Sequence, residues 1–327
     1  MNRQLFEYHP TIGYKFIKSL KTRVAHEAGG YLLRTNNWGF RCENDFQIGK
    51  IPGKKRILFF GDSFTAGDGV SNKFRYTDVL ETMLPDTEIY NFGLSGSGTD
   101  QQFLMYQEYG KDIECDVIVL SVLVENIRRI KSHYRYYYND KNEKVIYAKP
   151  YYDFKDGAFQ LFNTPVPSQP LTMEELPKEE QEKVDTGGRF GFARSVVNAL
   201  GLKEITQKIT KYQPVPEYNE SNTPEWQVMR EIIKQWKGMA QAKLIVIPLP
   251  LYQFVEETSD ASNYQSRFAE LTTELDIPVI DPLPEMRKYT MDERRNFRHK
   301  TDVHPTAEGH KAMAEAIYPE LSKILEQ

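Results

Sequence analysis

Cysteine is nearly missing from this chain: Cys42 and Cys115 are the two in 327 residues. No disulfide framework is available, and Cys115, beside the apolar run Val117 to Val122, reads as a small core residue of a protein suited to a reducing compartment. Long hydrophobic runs are missing as well. Nothing approaches the roughly 20 apolar residues of a membrane span, and the N-terminus lacks the apolar stretch of a secretory signal, so the chain as given predicts a cytoplasmic protein. Charge of one sign is also lacking. The 42 basic and 46 acidic side chains leave a formal net charge of −4, which gives no electrostatic ground for a nucleic-acid or anionic-membrane partner. The sequence holds no G-x4-G-K-[ST] phosphate loop, no H-E-x-x-H zinc pair and no G-x-S-x-G elbow. Internal repeats and low-complexity tracts are missing too, and the length suits one large α/β domain with insertions or two modest domains.

What is present is an alternation of apolar strand-like runs with amphipathic helix-like runs, the pattern of a parallel sheet covered on both faces. Five strands are expected, at Arg56–Phe60, Thr87–Phe92, Val117–Leu123, Leu244–Pro248 and Pro278–Ile280. Helical spacing covers Tyr76–Met83, Thr99–Tyr109, Trp226–Ala242 and Tyr264–Leu275, and a last helix, Ala307–Leu325, follows Thr306 as its N-cap. Residues 1–54 precede the alternation and contain the turn-like Thr35-Asn-Asn-Trp-Gly-Phe-Arg41. Residues 131–225 interrupt it, far exceeding the two to six residues usual for such a connection. That insertion opens with a hairpin pattern, Tyr134–Tyr138 and Val145–Ala148 around Asn139-Asp-Lys-Asn-Glu143. Its charge run Glu174–Lys183 reads as a solvated helix or loop. The expected organisation is an N-terminal extension 1–54 on the core, a main domain of 55–130 with 226–327, and an insertion 131–225.

Chemistry gathers where these strands end. Lys55-Arg-Ile-Leu-Phe-Phe-Gly-Asp-Ser-Phe-Thr-Ala-Gly67 sets Ser63 just past the first strand, at the edge where open α/β sheets bind ligands. From this segment alone Ser63 is a nucleophile or a helix cap. A serine hydroxyl needs a base and fixed oxyanion donors. The base candidate is His304, with Asp302 two residues before it, on the same side of an extended segment. The alternative is a turn in which both residues cap local backbone. After the second strand, Gly96 would let substrate approach backbone N–H groups. After the third, Asn126 offers a side-chain amide. A plain turn and a polar loop residue are the competing readings. Asp62 is expected to organise its turn, and His310 to be structural. Arg294, Arg295, Arg298 and Lys300 form a basic cluster, either solvated surface or facing an acidic group on a substrate. The hairpin tyrosines Tyr134, Tyr136 and Tyr138 either pack the hairpin or contact substrate.

The blocks Gly61-Asp-Ser63, Asn91-Phe-Gly-Leu-Ser-Gly96, the strand running to Asn126 and Asp302-Val-His304-Pro, in this order, resemble those of the SGNH (GDSL-type) esterase and acyltransferase superfamily. The resemblance spans roughly residues 55–127 and 244–325. It implies a flavodoxin-like three-layer α/β/α sandwich around a mainly parallel five-stranded sheet, with a long insertion after the third strand. It implies Ser63 as nucleophile, His304 as base and Asp302 as its orienting acid. Gly96, Asn126 and the Ser63 backbone N–H would form the oxyanion hole. His9-Pro-Thr-Ile-Gly-Tyr14 and Asn37-Trp-Gly-Phe-Arg41 resemble the lead-in of bacterial members associated with glycan modification. The chain departs from the family pattern twice. Val303 alone separates acid from histidine where two residues are usual, with Thr301 at the usual acid position, and Ile127 stands where Asp commonly follows the asparagine.

These residues together read as a serine esterase acting on O-acyl, foremost O-acetyl, esters of a carbohydrate or related small molecule. An O-acyltransferase to a sugar hydroxyl uses the same residues and differs in the acceptor. A lipid esterase or lysophospholipase needs a deep apolar pocket, and a non-catalytic binding module needs a vestigial triad. The mechanism requires no metal and no organic cofactor.

Overall fold

The computed structural model describes residues 5–138, 144–178, 180–181 and 213–326. Two short antiparallel hairpins come first, β1 (Phe6–His9) with β2 (Gly13–Phe16) and β3 (Lys21–Val24) with β4 (Tyr31–Arg34). The central strands follow as β5 (Lys55–Gly61), β6 (Thr87–Gly93) and β7 (Val117–Leu123). The insertion supplies two more hairpins, β8 (Tyr134–Tyr138) with β9 (Lys144–Ala148) and β10 (Tyr151–Lys155) with β11 (Ala158–Phe162). Finally β12 (Lys243–Leu249) completes a parallel sheet in the order β12-β7-β5-β6.

Strand alternation makes the layers. Phe59 and Phe60 are fully buried neighbours that point to opposite faces of β5. Phe59 meets Tyr76 of the helix Tyr76–Met83, whereas Phe60 meets Trp236 of the helix Pro224–Met239. The helix Ala307–Glu326 packs beside the first of these, and Thr99–Met105 beside the second. Thr306 caps the helix Ala307–Glu326 by accepting the N–H of Gly309 at 3.2 Å. A mixed α/β architecture with a central parallel sheet is thus present, but the ladder holds four strands. The expected fifth, Pro278–Ile280, touches β12 through a single bridge between Val246 and Val279. Pro278 has no N–H to extend the ladder, so pairing stops at two bonds, Val246 N–H to the Pro278 carbonyl and Ile280 N–H to the Val246 carbonyl. The helix expected over Thr99–Tyr109 is α-helical to Met105 and then widens into a π turn, Tyr106–Gly110.

Register fixes the working edge. Gly61 pairs with Gly93, so β5 and β6 end level, while β7 runs on past its pairing with β5 and turns at Val124–Asn126. The N-terminal segment is tied to that edge by Arg41. Its fully buried guanidinium donates to the carbonyls of Gly67 and Val70 at 2.7 and 2.8 Å and to Asn72 Oδ1 at 3.1 Å. The expected hairpin of the insertion is present as β8 and β9; its turn, 139–143, lies outside the described residues. The β10–β11 hairpin adds to that expectation. Its two-residue turn is Asp156-Gly157, both at positive φ, the chemistry a tight hairpin favours. Of the charge run, Met173–Glu175 forms a single 3-10 turn, while residues 179, 182 and 183 lie outside the described residues. Among the described residues no helix is long and apolar enough to cross a membrane.

Candidate active site

Ser63 opens a one-turn helix, Ser63–Ala66, at the end of β5. The helix cap is Asp62, whose Oδ1 accepts the Phe64 N–H at 3.0 Å, so Ser63 does not serve as the cap. Gly67 stops the turn in a left-handed conformation at φ +80°, and a Cβ there would run into the Arg75 side chain. Asp62 is fully buried and its other oxygen accepts from Arg129 Nη1 at 3.0 Å. The same Nη1 donates to the Ser97 carbonyl at 2.9 Å. One guanidinium, three residues beyond Asn126, therefore joins the Ser63 turn to the loop that carries Gly96. That loop is further fixed by Leu94 N–H on the Gly61 carbonyl and by Ser95 Oγ on Asp68 Oδ1 at 2.7 Å.

Gly96 sits at φ +77°, and a Cβ at this position would collide with the Arg135 guanidinium and come within 3.2 Å of the Tyr14 hydroxyl. The backbone conformation favours glycine here, and the Arg135 guanidinium would have to shift to admit a side chain. Asn126 is fully buried, and both its amide nitrogen and its oxygen have no partner among the described residues. A buried amide left unpaired costs about 1–3 kcal/mol, which makes Asn126 a candidate donor to a bound oxygen.

Asp302 and His304 are brought together directly. His304 Nδ1 lies 2.6 Å from Asp302 Oδ1, which also accepts the His304 backbone N–H at 3.1 Å. Burial opposes ionisation of Asp302, but the charge of His304 and the hydrogen bonds from His304 and His26 outweigh it and hold the carboxyl below its ordinary range. The His304 ring packs against Phe64, the residue after Ser63, with centroids 5.6 Å apart. Asp68, whose N–H donates to the Ser63 carbonyl at 3.0 Å, is pushed upward by burial against the pull of His304 and Arg41.

Tyr134 and Tyr136, expected either to pack the hairpin or to contact substrate, pack partly buried against the small cluster of Ile146 and Leu176. Tyr138 ends β8, and its side chain lies outside the described residues. Arg135, between those tyrosines and so on the opposite face of β8, is the one that reaches Gly96. Alternation along the expected strand was the signal that could have singled it out. Arg298 lines an apolar cavity beside Phe64, lies over the Tyr252 ring at 4.3 Å and pairs with buried Glu256 at 2.6 Å. Arg294 likewise pairs with Glu257 at 2.7 Å.

His310 has the structural role expected of it. It is fully buried, and its Nδ1 accepts the Tyr76 N–H at 3.3 Å, so the ring is neutral in the fold. Burial, then the charges of Arg75 and Arg41, push its pKa down to about 3 from 6.5. Below pH 6.5 the unfolded chain binds a proton that the folded chain refuses, so this contribution to stability is full above 6.5 and declines as pH falls toward 3. Between pH 7 and pH 5 the expected loss is about 2 kcal/mol. Urea unfolding of His310→Asn, which keeps an acceptor near Tyr76, should show that increment gone; an unchanged pH dependence would refute the assignment.

Residues 57–317 match the family model described as GDSL-like Lipase/Acylhydrolase. No curated protein resembles the chain closely enough to count as a match. Among solved structures, a member of the lipolytic protein G-D-S-L family from Veillonella parvula DSM 2008 is 12% identical, with 80% of this chain and 95% of that one covered and a TM-score of 0.39. The lipase/acylhydrolase from Enterococcus faecalis is 14% identical, covering 82% and 96% with a TM-score of 0.42. The acetyl xylan esterase AlAXEase is 13% identical, covering 81% and 99% with a TM-score of 0.42.

Proposed function

The chain belongs to the GDSL-like lipase/acylhydrolase family, and from that membership we propose that it is a serine esterase releasing short acyl groups, foremost acetyl, from a carbohydrate or related small molecule. Ser63 Oγ attacks the ester carbonyl while His304 takes its proton, with Asp302 stabilising the imidazolium. The oxyanion of the tetrahedral intermediate is held by the N–H groups of Ser63 and Gly96 and by the Asn126 amide. Collapse expels the alcohol, protonated by His304, and leaves an acyl-Ser63. Water, activated by His304, attacks that ester and returns the free enzyme and a carboxylic acid.

The 2.6 Å contact between Asp302 and His304, at the same edge as an unpartnered Asn126 amide, carries this reading. Support for a short acyl group comes from the cavity beside Phe64 and Val303, neighbours of Ser63 and His304. Its volume is about 30 Å³, with Met286, Met313 and Pro305 among its walls. That is room for one or two water-sized groups.

Turnover of p-nitrophenyl acetate, butyrate and octanoate, and of an O-acetylated sugar, tests the proposal. The acetyl ester should exceed the octanoyl ester in kcat/KM by at least about tenfold, equivalent to ~1.4 kcal/mol of transition-state discrimination. Acid release from none of the esters, or preference for octanoate, would overturn it. Acyl transfer to an added sugar in place of acid release would reassign the acceptor while keeping the acyl-enzyme.

A further inference from the structure

The acid of the proposed triad has a second histidine. Asp302 gives Oδ1 to His304, and its Oδ2 lies 3.2 Å from Nε2 of His26, a residue of the β3–β4 turn. The adjoining Glu27 holds the same loop by its backbone. Its carboxylate accepts the Thr301 N–H at 2.9 Å, the Thr301 hydroxyl at 2.5 Å and the Asp302 N–H at 3.5 Å. His26 is itself wedged in place. Its ring meets His299 edge-on with centroids 4.3 Å apart and Tyr31 at 6.0 Å, and its side chain is 11% exposed. A Cβ on Gly69 would crowd His299 and approach His26, so this corner is closed on the side of the Ser63 turn as well. Nδ1 of His26 has no partner among the described residues, which leaves Nε2 as the nitrogen that carries the proton toward Asp302.

The need for such support follows from the short spacing. With Val303 alone between acid and base, Asp302 accepts the N–H of His304 as well as its ring nitrogen, and Val303 is turned outward. The Asp302 side chain is 34% exposed. A carboxylate that open to water, on a loop of this length, is free to rotate off the histidine unless its second oxygen is fixed.

We propose that His26 is a positioning residue of the active site, locking the Asp302 carboxylate onto His304 from the N-terminal segment, with Glu27 clamping the loop beneath it. The inference rests on the serine esterase reading given above. It makes the first hairpins part of the catalytic apparatus, and so extends the site beyond residues 57–317.

Three variants of the full chain test it: His26→Ala, His26→Gln, whose amide nitrogen reaches the place of Nε2, and Ser63→Ala as reference. The readouts are kcat and KM for p-nitrophenyl acetate, the rate of Ser63 modification by a fluorophosphonate followed by intact mass, and the low-field proton resonance of His304 Nδ1–H. Thermal unfolding establishes that each variant is folded. His26→Ala should lose about 10- to 100-fold in kcat and in modification rate, the range typical of removing an orienting partner, with KM within twofold. His26→Gln should recover to within about threefold of the parent. The His304 resonance should be lost in His26→Ala and kept in His26→Gln. Parent-like kcat and resonance in folded His26→Ala, or a folded His26→Gln as slow as His26→Ala, would overturn the role of His26 alone. If the parent itself is not modified at Ser63, the esterase reading falls, and the resonance still decides whether His26 orders the Asp302–His304 pair.

Discussion

Ser63→Ala should lower kcat for the acetyl ester by about 10⁶-fold while leaving the protein folded, because removal of a triad nucleophile abolishes the whole concerted step. The rate left over would come from the oxyanion donors and from binding. The structural cost should be slight. Ser63 is 5% exposed, Asp62 supplies the cap, and deleting one hydroxyl from the first residue of a single-turn helix disturbs neither the β5 ladder nor the Arg129 bridge. Urea unfolding should place the variant within about 1 kcal/mol of the parent. Intact mass after brief exposure to p-nitrophenyl acetate should show an acetyl adduct on the parent and none on the variant. A loss of activity below tenfold would mean that another group attacks the ester, and the proposed chemistry would fail at its first step.

The second large effect is on stability. Lys149→Met is expected to destabilise the protein by about 3–5 kcal/mol, the usual consequence of stripping one partner from a buried ion pair. Lys149 and Asp100 are both fully buried and in direct contact. Burial, partly offset by Asp100, lowers the pKa of the lysine, and Arg135 and Arg129 add to the lowering. Without the ammonium, Asp100 keeps the Gln101 N–H on one oxygen at 2.8 Å, and its other oxygen loses its ionic partner. Asp100 lies in the first turn of the helix Thr99–Met105, directly after the loop that carries Gly96, so the damage should reach that loop and lower kcat as well. The double variant Lys149→Met/Asp100→Asn should regain most of the lost stability, since no charge is then left buried. A single variant within about 0.5 kcal/mol of the parent, the size of an ordinary surface change, would show that the pair contributes nothing.

How much of this could be read from the sequence depends on the range of the interaction that decides each feature. The strand–turn–helix after Lys55 is written locally, in a run of apolar residues, a capping Asp62 and a stop at Gly67. Both the placement of Ser63 and the level ends of β5 and β6 follow from it. Pro278 is equally local, yet it was outweighed by the apolar Val279 and Ile280 beside it, and a missing N–H turned an expected strand into one bridge. The β10–β11 hairpin is also local: Asp156-Gly157 between aromatic runs is a strong turn signal. Tyr134 and Tyr136 are ambiguous in the sequence because aromatic side chains serve packing and stacking alike; in the fold they pack against Ile146 and Leu176. Arg129 and His26 belong to another class. Their roles exist only through contacts with Asp62 and Asp302, and no spacing along the chain announces a partner 67 or 276 positions away.

That last separation bears on when the protein becomes competent. The support at His26 and Glu27 leaves the ribosome before the loop carrying Asp302 and His304, with His26 and Asp302 separated by 276 positions. At roughly 5–20 residues per second, the sheet strands β5 to β7 are exposed well before the segment that holds His304. On the proposed reading, a nascent chain holds Ser63, Gly96, Asn126 and His26 for that interval without the base that esterase chemistry needs. The proposed activity would switch on when the Asp302–His304 segment closes onto His26, a long-range closure of the kind that slows folding.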